Sequence, residues 1–349
     1  MKKSIFFFFW VILICCSFST TYSQNLIALQ HNGVSSLFTQ LDSTVTQAVN
    51  GDTIYIPGGF FSLNVQINKS IHLVGVGHNP DSTQATQVSR ILGNVTLTQG
   101  ANNGSLTGLQ IGGLNCQNSN DTISNYLVER CRLGGITLMP SSTNFSFIEN
   151  VIQGVMSLGI NPGVASDCFF SNNIIEGSCS GNYAFLTNSL FRNNIFLYQS
   201  YCSYGCWIPI SSPNSTFENN IFISNNPSTS ATYGTSSSIF NNNLFVENWT
   251  PSSCGCMGSN NIVNQPQSSI FINQTGNTFN YAHDYHLQTS SPGHNAGTDG
   301  TDVGIYGGTF PWKEGSIPFN PHILFKNIGY STDPNGNLLI NIHVEAQDH

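Results

Sequence analysis

Phe170-Ser171-Asn172-Asn173-Ile174 and Phe191-Arg192-Asn193-Asn194-Ile195 are two copies of one phrase: an aromatic, a variable residue, two Asn and an aliphatic. It returns as Phe147-Ile148-Glu149-Asn150-Val151, Phe217-Glu218-Asn219-Asn220-Ile221 and Phe240-Asn241-Asn242-Asn243-Leu244, with a worn copy at Ser259-Asn260-Asn261-Ile262. An earlier variant, Leu127-Val128-Glu129-Arg130-Cys131, carries Arg130 where the second Asn is expected. The copies recur about every 22 residues, a period that marks a solenoid.

The phrase alternates apolar and polar positions over a few residues, and Ser, Thr, Asn, Gly and Pro fill the intervals. That pattern suits short strands joined by turns and discourages helices. The expected fold class is all-β: a single-stranded right-handed parallel β-helix of about 22-residue coils, with an N-terminal cap and a C-terminal closing hairpin. Stacking should turn sequence columns into ladders. Leu127 and the five Phe of the phrase form an inner aromatic stack. Cys131, Val151, Ile174, Ile195, Ile221, Leu244 and Ile262 form an inner aliphatic one. The second Asn of each copy occupies a turn, where Asn tolerates left-handed backbone and its amide bonds to both neighbouring coils. Phe196, Phe222 and Phe245 face either inward as core or outward as an aromatic strip for sugar rings; core is favoured.

Met1-Lys2-Lys3, an apolar run from Ile5 to Cys16 and a small polar exit describe a secretory signal peptide over residues 1–23. Localisation is therefore expected to be extracellular or at the cell surface. Lipid anchoring at Cys15 or Cys16 is the lesser alternative, because Ile and Cys precede them instead of small residues. No segment is long enough for a membrane span. Eight cysteines follow: Cys116, Cys131, Cys168, Cys179, Cys202, Cys206, Cys254 and Cys256. In an oxidising compartment these read as local or neighbouring-coil disulfides, with a four-thiolate metal site from the last four as the weaker reading. Formal net charge is −8 and only 7% of residues are charged, so a basic surface for nucleic acid is absent. Residues 24–310 are expected to form the β-helix with its capping segments, and 311–349 a C-terminal extension whose runs His322 to Tyr330 and Asn337 to Ala346 flank a turn.

Ala48-Val49-Asn50-Gly51-Asp52-Thr53-Ile54-Tyr55-Ile56-Pro57-Gly58-Gly59, then Ile67 to Gly77, the repeated Asn-Asn-Ile, and the ending from Asp284-Tyr285-His286-Leu287 to Gly304-Ile305-Tyr306-Gly307-Gly308 resemble the pectate-lyase-like right-handed parallel β-helix superfamily. The resemblance covers nearly all of the chain beyond the leader. It implies the fold and leaves the activity open among lyases, hydrolases, esterases, epimerases and non-catalytic surface proteins. The Asp-Asp and Gly-His-Gly motifs of the related polygalacturonases are missing, as is the Gly-x-x-Asp-Phe of pectin methylesterases. No lyase motif surrounds the few Lys and Arg.

What remains is the cluster Glu129, Arg130, Arg132 and Glu149, with Arg192 and Glu218 further along. Aligned by repeat, Glu129 and Glu149 share a column, and so do Arg192 and Glu218. The bland reading is surface ion pairs. The sharper one has Arg130 and Arg132 bind an acidic sugar, Arg192 and Glu218 extend the contact, and Glu129 or Glu149 move a proton. The histidines of Tyr281-Ala282-His283-Asp284-Tyr285-His286 read as structural. The sequence therefore points to a secreted protein, expected to be monomeric, that engages polysaccharide without catalysis and without cofactor. The alternative is a divergent polysaccharide lyase or glycoside hydrolase acting on a uronic-acid-containing glycan, with calcium a candidate cofactor for the lyase.

Overall fold

The computed structural model describes residues 25–346 apart from 117, 119, 140, 155, 159–164, 177–185, 198–211 and 224–234. The expected leader, Cys179, Cys202 and Cys206 lie outside the described residues. The chain is a parallel β-solenoid built on a twelve-stranded and an eleven-stranded sheet. In the first sheet Val128, Phe147, Phe170, Phe191, Phe217 and Phe240 stand in register on successive strands. All are buried, and the five rings stack at 4.7, 4.8, 4.6 and 4.5 Å, the spacing of the strands that carry them. In the second sheet Leu133, Ile152, Ile175, Phe196, Phe222 and Phe245 form the facing inner column. Phe196, Phe222 and Phe245 thus point inward, 4.6 Å ring to ring, and Trp249 lies 4.4 Å over Phe245 as a lid on the core.

The two Asn of each phrase have separate duties, and the left-handed residue is the first, not the second. Arg130, Glu149, Asn172, Asn193, Asn219, Asn242 and Asn260 all have φ between 49 and 58°. The second Asn turns its amide inward. Asn173 Oδ1 accepts from Asn150 N at 2.8 Å and from Asn150 Nδ2 at 3.0 Å, while Asn173 Nδ2 donates back to Phe147 O at 2.8 Å. The same geometry repeats through Asn194, Asn220, Asn243 and Asn261. Each buried amide is therefore satisfied by the coils above and below it.

This register corrects the earliest copy. Val128, not Leu127, lies under Phe147, and Glu129 is level with Ile148, not Glu149. Cys131 occupies the ladder position, its N–H donating to Asn150 Oδ1 at 2.8 Å, so Arg130 stands at a first-Asn place beside Glu149. A half-exposed Leu127 followed by a buried Val128 shows why: only that phase keeps the apolar side chain inward without a break in the ladder.

The aliphatic column is corrected too. Ile174, Ile195, Ile221 and Leu244 point away from the coil interior and are buried against Tyr285, Leu287, Val303 and Ile305. Residues 293–321 form a strap that runs back over the coils, one rung at a time. Asn242 Nδ2 donates to Ala296 O, Asn219 Oδ1 accepts from Thr298 N, and Asn193 Nδ2 donates to Gly304 O. Asn172 Nδ2 reaches Ile305 O and Gly307 O, Glu149 Oε2 accepts from Lys313 N, and Arg130 Nη1 donates to Ile317 O. The left-handed column is thus the docking rail of the strap.

At the N-terminus Ile27–His31 pairs antiparallel with both Val34–Phe38 and Thr53–Tyr55, and a helix spans Leu41–Gln47. At the C-terminus His322–Ile328 and Ile340–Glu345 form the expected antiparallel hairpin. Cys254 and Cys256 are bonded, whereas Cys116, Cys131 and Cys168 are free. The expectation of disulfides fails for these three because each thiol is an inward rung, and burial pushes its pKa up to about 12. Among the described residues no helix is long and apolar enough to cross a membrane.

Candidate functional site

Arg130 is not on the lateral face. Its side chain is fully buried beneath the strap, with Nε 3.1 Å from Glu149 Oε2 and the guanidinium 3.8 Å from the centre of the Phe319 ring. Burial raises the Glu149 pKa, and the Arg130 charge opposes that rise. Arg130 and Glu149 are therefore sealed into the join between strap and coil, out of reach of a glycan. Arg192 and Glu218 pair across neighbouring strands at 2.9 Å and stay partly exposed. Such a pair contributes about 0–1 kcal/mol. Glu129 is partly exposed, level with Ile148 on the neighbouring strand, and its charge adds to the rise of the Glu149 pKa.

Arg132 is the one expected residue that opens onto a groove. It sits at 5.4 Å over the ring of Tyr281, donates to Gln153 Oε1 at 2.6 Å and to the Tyr281 hydroxyl at 3.4 Å. Register places Arg90, Gln110 and Arg132 on one column of three adjacent strands. With Gln153 they wall a cavity of about 190 Å³. Its floor is a ladder of glycines: a methyl on Gly134 would strike the Gly112 carbonyl, and one on Gly112 the Gly93 carbonyl. Side chains are thus excluded from the floor while planar polar groups stand along one side. Gln153 is anchored in turn by donating to Glu176 at 3.0 Å, and Glu176 accepts from Phe279 N at the same distance.

Tyr281 is fixed from behind. Its hydroxyl donates to His78 O at 2.8 Å, leaving the oxygen to accept from His78 Nδ1–H at 2.9 Å. His78 is buried, and burial, reinforced by the Arg132 charge, pushes its pKa down to about 3. A neutral imidazole therefore holds the phenol that supports Arg132. Burial also raises the Tyr281 pKa despite the opposing Arg132 charge, so the phenol keeps its proton.

The sequence reading found Arg132 but missed Arg90, Gln110, Gln153 and Tyr281. A second phrase carries Arg90 and Gln110 beside Arg132: Arg90-Ile91-Leu92-Gly93, Gln110-Ile111-Gly112-Gly113 and Arg132-Leu133-Gly134-Gly135. Tyr281 has no such signal, because it arrives from a distant closing segment. Among the described residues no group of three or more His, Cys, Asp or Glu gathers.

No family model matches the chain, and no curated protein matches it. Among solved structures, a PL6-family alginate lyase is similar over 84% of this chain, with 12% identity and a TM-score of 0.24. The chain spans 58% of the length of that lyase.

Proposed function

We propose that this protein binds an extended acidic polysaccharide along the groove of Arg90, Gln110, Arg132 and Gln153, without cutting it. The observation that carries the reading is the in-register column Arg90–Gln110–Arg132 above a floor that only glycine permits. Strands repeat at about 4.8 Å, so two guanidinium groups flank an amide at regular steps along the solenoid axis. Guanidinium forks suit planar carboxylates and sulfates, and they supply local positive charge on a chain of net charge −8. The non-catalytic part rests on the carboxyl groups: Glu149 is sealed beneath the strap and Glu176 is committed to Gln153 and Phe279 N. Glycoside hydrolysis normally needs two carboxyls with separate roles.

Affinity electrophoresis against neutral, uronic and sulfated polysaccharides, with and without calcium, tests the reading. Acidic polymers should retard the protein, and an Arg90→Ala/Arg132→Ala variant should lose at least about tenfold in affinity, or about 1.4 kcal/mol. Unchanged retardation of the folded variant would remove the groove from consideration. New reducing ends or unsaturated uronates would sink the claim that the glycan is not cut.

A further inference from the structure

Tyr281 also lines a second, narrower cavity of about 40 Å³. Its other walls include the aromatic residues Phe279, Tyr285, Tyr306 and Trp312, with Asn79, His283 and Glu314 among its polar residues. One ordered water needs about 10–15 Å³ of such space, so the cavity accepts a small substituent and not a sugar ring. The electrostatics select its charge. Tyr306 donates to Glu314 Oε1 at 2.5 Å; burial first, and then the Glu314 carboxylate, drive the Tyr306 pKa up, so the phenol keeps its proton and the acid remains the acceptor. Behind Phe279 stands a second carboxylate, Glu176, held by the Phe279 N–H. Aromatic rings combined with carboxylate attract a cation and repel carboxylate or sulfate.

We infer that this cleft takes a small organic ammonium group, the free amine of an amino sugar in the bound glycan. The inference rests on the glycan-binding reading for the source of the amine. Tyr281 lines the cleft, and Arg132 of the groove sits 5.4 Å over its ring, so guanidinium groups and an acidic aromatic cleft are neighbours. A glycan that fills both carries acidic groups and free amines together.

Monosaccharides read the cleft separately from the groove. Saturation-transfer NMR and calorimetry in mildly acidic buffer would compare D-glucosamine with N-acetylglucosamine, which is neutral and bulkier, and with glucose. Glucosamine should bind at least about tenfold tighter than either. Glu314→Gln should remove most of that preference, and Arg90→Ala, which lines only the groove, should leave it within about twofold. Equal binding of the three sugars, no detectable glucosamine binding, or an undiminished preference in folded Glu314→Gln would each overturn the inference. Failure of the groove reading shows elsewhere, as undiminished retention of acidic polysaccharide by the Arg90→Ala/Arg132→Ala variant.

Discussion

Arg130 shows how far burial can change the meaning of a charged residue. A guanidinium with no exposed surface, paired to Glu149 and stacked on Phe319, holds the strap to the coil. Arg130→Ala should therefore cost about 3–5 kcal/mol, because it strands a buried carboxylate. Urea unfolding measures the loss, and the fraction that stays folded should bind glycan undiminished. His78 gives a pH dependence whose sign follows from its depressed pKa. The unfolded imidazole takes a proton below about pH 6.5, whereas the folded one resists until about pH 3. Stability from this group is complete above pH 6.5 and falls as pH drops through that window, by up to about 1.4 kcal/mol per pH unit. His78→Gln should flatten the acid side of the urea midpoint against pH; an unaltered profile would show that His78 is not its source.

The rest of the molecule depends little on the closing hairpin. Most side chains of His322–Ile328 and Ile340–Glu345 are exposed, including Phe325, Ile340, Ile342 and Val344. A lone two-stranded hairpin is marginal in water. Removing residues 322–349 should shift the melting temperature by no more than about 2 °C, measured by calorimetry; a larger fall would mean that it braces the cap. Elements of this kind were legible in sequence because their signals are local: the aromatic stack, the Asn ladder and the hairpin turn all follow from short alternation. The strap was not legible as a cover, since nothing in residues 293–321 says which coil face receives them. The aliphatic column was consequently assigned to the interior, although Ile174, Ile195 and Ile221 are buried by that cover. The groove was half legible. Arg132 stood out by its charge, but Arg90 and Gln110 become its neighbours only once strand register is known.

At the scale of the whole molecule the strap alters what a solenoid normally is. Repeats that touch only their neighbours can unfold piecemeal, but here one segment bonds to rungs from Asn242 to Arg130. Intact protein should unfold in a single urea transition by both tryptophan fluorescence and circular dichroism. Asn172→Gly/Asn193→Gly keeps the left-handed backbone while deleting bonds to Asp302, Gly304, Ile305 and Gly307. That variant should lose about 2–4 kcal/mol and separate the two probes; coincident curves would mean that the strap does not couple the coils. The same strap also sets a kinetic order. Its contacts are separated by 54 residues at Asn242–Ala296 and by 187 at Arg130–Ile317. Closing the longer loop costs about 1 kcal/mol more in chain entropy, at roughly 0.6 kcal/mol per doubling. Docking is therefore easiest beside the last coils and hardest at the first, like a zip fastener drawn back toward the N-terminus, with Arg130 meeting Phe319 near the end of its travel.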